Sequence, residues 1–136
     1  DDDENAAPLP SPSPRAHILV IDDEQSIAEM LLELLTWLDY TATIFTSVAS
    51  ALEFYRKHRD DIALAIVDMN MPDADGMECF MRLRAINPHI KVLIATGYCL
   101  DDERQRLVKQ GVCGVLSKPF VSADLAKAVS EALASS

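Results

Sequence analysis

From Ala16 onward, short apolar runs alternate with segments whose apolar residues recur at helical spacing, and that alternation admits few folds. HILVI (17–21), TATIF (41–45), IALAIV (62–67), KVLIA (91–95) and GVL (114–116) read as strands. Their Ile, Val and Leu content suits strands covered on both faces. Between them, Ile27, Leu31, Leu34, Leu35 and Leu38 form one helical stripe, Val48, Ala51, Leu52 and Tyr55 a second, and Cys79, Phe80, Leu83 and Ile86 a third. Leu125, Ala128, Val129, Ala132 and Leu133 form the last, with Ser122 placed as its N-cap and Asp124 in the first turn, where a negative charge suits the helix dipole. The remaining helix, about 101–110, offers only Leu107 and Val108 to a core and ends at Gly111. The expected class is α/β, a parallel sheet covered by helices.

The first 15 residues, DDDENAAPLPSPSPR, break the pattern. A charge run joined to alternating Pro and Ser buries too little apolar area to offset the entropy of ordering, so residues 1–15 read as a disordered linker and 16–136 as one domain. Both parts are acidic: the leader carries net -3 and the rest -7 of the formal -10. Such a surplus repels phosphate backbones and argues against direct nucleic-acid binding, while it suits metal cations. No apolar run reaches the ~18 residues of a membrane span, and nothing at the start resembles a signal peptide. Cys79, Cys99 and Cys113 form no CxxC pattern, against a disulfide framework or a zinc site, so a reducing cytoplasm is the expected setting. His17, His58 and His89 lack ligand spacing, and Trp37 reads as an edge packing residue.

The notable polar residues fall at strand ends. Asp22 and Asp23 follow strand 1, Asp68 ends strand 3, Thr96 ends strand 4 and Lys118 ends strand 5. In an open parallel sheet those carboxyl ends share one edge, and ligands bind there where the winding reverses. Singly, each residue is explained as a turn former, strand filler or loop charge. Together, three crowded carboxylates repel by ~4 kcal/mol per close pair at an effective dielectric of about 20, so positive charge belongs among them. Mg²⁺ prefers carboxylate oxygens and commonly shares its site with a phosphate. Phosphoryl transfer to a carboxylate is the chemistry that fits, with Lys118 as fixed cation and the Thr96 hydroxyl as donor to a phosphoryl oxygen.

HILVIDDE, IVDMNMPDADGME, VLIATG and LSKPF together resemble the receiver domains of bacterial response regulators, over about Ala16 to Leu133. The resemblance implies a flavodoxin-like (βα)5 doubly wound sheet of strand order 2-1-3-4-5. It implies two-component phosphorelay signalling, in which Asp68 takes a phosphoryl group from the phosphohistidine of a sensor kinase or phosphotransfer domain. By position, Asp23 and Asp68 ligate Mg²⁺ directly, Asp22 acts through water, and the backbone carbonyl of Asn70 completes the set. Thr96 and Lys118 bind the phosphoryl group, and Lys118–Pro119 is expected to be cis. Such a domain assists its own phosphorylation and dephosphorylation without being a turnover enzyme.

One position departs from the family pattern. Receivers usually carry Tyr or Phe three residues before the Lys, and here the residue is Val115, so the aromatic half of the usual switch is absent. The TGY triplet ending in Tyr98 resembles receivers attached to sensor kinases and some single-domain regulators, with Tyr98 as a gate to the acyl phosphate or a half-exposed loop aromatic. Met69 is expected to border the phosphoryl pocket and Met71 to pack. Either a stand-alone regulator or the C-terminal receiver of a hybrid histidine kinase fits, the hybrid slightly better. Two other classes compete. Haloacid-dehalogenase-type phosphatases also combine Asp, Thr, Lys and Mg²⁺, but need a DxD on the first strand and a cap. An interaction module that had lost the chemistry would not need all five polar positions.

Overall fold

The structure, a computed structural model, describes residues 16–72, 75–97 and 101–134. Five strands are present, β1 (His17–Ile21), β2 (Thr41–Phe45), β3 (Leu64–Asp68), β4 (Val92–Thr96) and β5 (Gly114–Ser117). They alternate with helices α1 (Gln25–Trp37), α2 (Val48–His58), α3 (Gly76–Ile86), α4 (Asp101–Lys109) and α5 (Ser122–Ala134). All pairings are parallel, as the alternation of strands and helices predicts, in the order β2-β1-β3-β4-β5 that the family resemblance implies.

The period of two along each strand sends alternate side chains to opposite faces, so the sheet divides two apolar layers. Leu19, Ile21, Val67 and Ile94 face α2, α3 and α4, where Tyr55, Phe80 and Leu83 are fully buried. Ile18, Val20, Ile66 and Leu93 face α1 and α5, against Leu31, Leu35, Leu125 and Val129. Strand order reverses between β1 and β3: the chain leaves β1 into α1 on one face and leaves β3 towards α3 on the other. That divergence opens a crevice at the carboxyl edge.

Several boundaries differ from the sequence reading. Ile62 and Ala63 lie before β3, because a 3-10 turn at Arg59–Asp61 delivers the chain to the sheet and pairing with β1 starts at Ile18↔Leu64. Only β1, β3 and β4 are deeply buried; β2 and β5 are edge strands and stay partly open. Val108 is 48% exposed, leaving Leu107 as the buried residue of α4, and Gly111, at φ 111, ends that helix as expected. Ser122 is the first residue of α5 rather than its cap. Trp37 is 75% exposed, so it is a surface residue and not edge packing. The 1–15 linker, Tyr98 and Cys99 lie outside the described residues; Cys79 is buried and Cys113 half-buried. Among the described residues no helix is long and apolar enough to cross a membrane.

Candidate functional site

The reversal point brings together residues far apart in sequence. Asp22 follows β1, and its backbone N–H donates to the Phe45 carbonyl at 3.0 Å, continuing the β1–β2 ladder by one step. Its Oδ1 accepts from the Glu24 N–H at 2.9 Å, an Asx-type turn that turns the chain towards α1. The other oxygen, Oδ2, is buried without a hydrogen bond and has the Lys118 ammonium, 3.4 Å away, as its countercharge among the described residues.

Asp68 closes β3 and is 4% exposed. Lys118 Nζ donates to its Oδ1 at 3.0 Å. Lys118 is positioned by its own N–H, which donates to the Thr96 carbonyl at 2.9 Å and extends the β4–β5 ladder beyond Ser117. The Lys118–Pro119 peptide is cis, as the resemblance implies. Thr96 is 4% exposed and pairs in register with Ser117, which sets it beside the same edge. Asp23 is half-buried, and one carboxylate oxygen from each of Asp22, Asp23 and Asp68 lies within 4.8 Å of the others. Asn70 follows two positions after Asp68 and is exposed. The strand-end residues expected from the sequence therefore meet at one edge.

At this edge, among the described residues, three carboxylates face one lysine, so negative charge exceeds positive. Burial pushes the Asp68 carboxyl above its ordinary value; the Lys118 hydrogen bond opposes this, while the neighbouring Asp22 charge adds to it. For Lys118, burial alone would favour loss of the proton, but the Asp68 hydrogen bond and the Asp22 and Asp68 charges outweigh it and the ammonium is held above its ordinary value. One lysine thus serves two buried carboxylates. The hydrogen-bond-free Asp22 Oδ2 and the converging all-oxygen donor set fit a hard divalent cation, which takes carboxylate and carbonyl oxygens.

Two supporting residues escaped the sequence reading. Asp75 caps α3, its Oδ1 accepting from the Glu78 N–H at 2.8 Å. Gly76 then donates its N–H to the Met69 carbonyl at 2.8 Å, drawing the start of α3 against the end of β3. A Cβ at Gly76 would lie 2.8 Å from Met69 Cα and 3.0 Å from the Asp68 carbonyl oxygen, so the site's backbone needs glycine there for close approach. The Asp75–Gly76 dipeptide was the available signal, although a DG pair usually reads only as a turn. Met69 is half-buried and packs against the α2–α4 layer, and Met71 is buried there. Val115 is half-buried on β5, and its carbonyl accepts from Arg104 Nη1 of α4 at 3.3 Å.

Comparison with known proteins agrees with this geometry. A family model described as the response regulator receiver domain matches residues 18–130. The response regulator receiver protein CpdR of Brucella abortus (strain 2308) is 31% identical over 121 residues, covering 85% of this chain and 95% of that protein. The transcriptional regulatory protein GlrR of Escherichia coli (strain K12) is 30% identical over 118 residues, 87% of this chain, so the chain spans only 26% of the length of that larger relative. A receiver domain structure from Clostridium thermocellum superposes with a TM-score of 0.80 at 32% identity, covering 87% of this chain and 94% of the other. With the sheet order, the acidic edge and these relatives in agreement, the chain belongs to the response regulator receiver domain family, which accepts phosphoryl groups in two-component phosphorelay signalling and interacts with histidine kinases or phosphotransfer proteins.

Proposed function

We propose that Asp68 is the phosphoacceptor of this receiver and that its donor is the phosphohistidine of a sensor kinase or phosphotransfer domain. The observation that carries the reading is the placement of a buried carboxylate at the end of β3, with Lys118 on its Oδ1 and two further carboxylates within 4.8 Å. A carboxylate oxygen of Asp68 attacks phosphorus in line, the new O–P bond forms as the N–P bond breaks, and the electron pair returns to the donor imidazole. The Lys118 ammonium balances charge on the transferred group, and the Thr96 hydroxyl donates to one of its oxygens.

Asp23, Asp68 and the Asn70 carbonyl would hold Mg²⁺ directly, with Asp22 acting through water, and the ion supplies the positive charge that three carboxylates and an incoming phosphoryl group require. Val115 in place of an aromatic ring removes one way of reporting the modification, which favours use as a relay or phosphoryl sink. Residues 1–15 are read as the linker to this domain in a parent protein, either a separate cytoplasmic regulator or a hybrid histidine kinase.

The test is incubation of the chain with Mg²⁺ and a small acyl-phosphate donor. A mass gain of one phosphoryl group that is abolished in Asp68→Ala and by chelation is the expected result. A gain that persists in Asp68→Ala, or no gain with any acyl-phosphate or phosphohistidine donor, overturns the assignment.

A further inference from the structure

On a chain of formal charge -10, one surface cleft is lined by three arginines and no acid. Arg56, Arg59, Arg82, Ala85 and Ile86 enclose about 490 Å³ where α2 and α3 end. It lies away from the acidic site: α3 starts beside Asp68 and ends at the cleft, and its 11 residues span ~16 Å.

Helix ends attract basic residues for their own reasons, and two of the three arginines have structural duties. Arg59 Nη1 donates to the Ile86 carbonyl at 2.7 Å, closing the end of α3. Arg82 pairs with Glu78 one turn earlier on α3, at 2.5 Å. Neither duty uses up a guanidinium, which carries five N–H donors in a planar fork suited to carboxylates. All three side chains are exposed, and the cleft keeps a net positive charge after Glu78 is counted.

We propose that this cleft is a carboxylate-binding site and that its occupant is the acidic run Asp1–Glu4 of the same chain. Charge complementarity points to it, four consecutive acids facing three arginines. Reach permits it. Twelve residue steps separate Glu4 from Ala16 and span at most ~40 Å. The chain also enters the fold at the same sheet edge: the His17 carbonyl accepts from the Ala63 N–H at 2.9 Å, just after the turn that holds Arg59. Tethering raises the local concentration of the acids to roughly millimolar, enough for pairs that are individually weak at a surface. Docking there gathers the four carboxylates at the edge opposite the one where an anionic phosphodonor must approach.

The experiment follows the Nε–Hε resonances of Arg56 and Arg82 by nuclear magnetic resonance in the full chain and in a full-length variant with Asp1→Asn, Asp2→Asn, Asp3→Asn and Glu4→Gln. Between about 20 mM and about 500 mM NaCl, which takes the Debye length from well above to well below ~10 Å, these resonances should move several-fold further in the parent chain than in the variant, where the Arg82–Glu78 pair alone responds. Inorganic pyrophosphate should bind the variant several-fold more tightly, because the competing acids are gone. Arg56→Gln, which disturbs no side-chain hydrogen bond among the described residues, should remove both differences. Identical salt responses in the parent and the neutralised chain, or equal pyrophosphate affinity in the two, would overturn the proposal; the latter would mark a cleft for external anions only.

Discussion

Lys118 Nζ lies 3.0 Å from Asp68 Oδ1 although the two residues are 50 positions apart, and the same nitrogen is 3.4 Å from Asp22 Oδ2. This single cation is the countercharge of two carboxylates that are almost entirely buried. Replacing it with Met should destabilise the fold by about 2 kcal/mol without divalent cation, because buried charges lose their partner. Added Mg²⁺ should recover part of that loss. Urea unfolding with and without the ion checks this; equal stability of Lys118→Met and the parent chain would contradict it.

Asp22→Asn should act in the opposite direction on stability. The amide oxygen can still accept from the Glu24 N–H, while one of three crowded negative charges is removed. We expect a gain of roughly 1 kcal/mol without metal, together with weaker Mg²⁺ binding. Calorimetric titration set beside unfolding curves measures both, and unchanged Mg²⁺ affinity would show that Asp22 takes no part in holding the ion.

Gly76→Ala is a steric test of the backbone at the site. Its Cβ would be forced to within 2.8 Å of Met69 Cα, so α3 must move away from the end of β3. The expected cost is about 1–3 kcal/mol, as for overpacking elsewhere, with a slower rate of phosphorylation by a small acyl-phosphate donor. Thermal unfolding and the rate of mass gain report the two effects separately.

At the opposite edge, His17 gives a pH dependence. Its ring nitrogens each lie 2.7 Å from a hydroxyl, of Thr41 and Thr43, and burial holds its value below the ordinary 6.5, with Asp61 pulling upward and His58 downward. The unfolded chain therefore binds the proton more readily than the folded one. The stabilisation is complete above pH 6.5 and is lost as pH falls through 6.5 towards the lower folded value. In that window stability should rise with pH more steeply in the parent chain than in His17→Gln, and parallel slopes from urea titrations would rule out this contribution.

Much of this molecule could be read in one dimension. The short apolar runs and the helical spacings located all five strands and five helices, and β1 and β2 were placed at their observed bounds, because a strand covered on both faces is apolar throughout and a helix writes its buried face into residue spacing. The polar strand ends pointed to one edge, since parallel strands in one sheet must end together. The failures lie where a neighbour decides. Whether the apolar run 62–67 begins its strand at Ile62 or Leu64 depends on where β1 offers partners. Trp37 lies two positions beyond Leu35, about 200° further around the helix, and so faces solvent when Leu35 faces the sheet. Val108 lies about 100° beyond Leu107, enough to turn it out of the core.

By itself, then, the sequence determined the α/β class and which polar residues end the strands, because both follow from local periodicity, while the strand order followed from the family resemblance. Only the tertiary structure decided that Asp22 Oδ2 is buried without a hydrogen bond, that one lysine serves two carboxylates, and that Gly76 must lack a side chain. Those facts are distances between segments tens of residues apart, and such distances exist only once the two apolar layers have closed on the sheet.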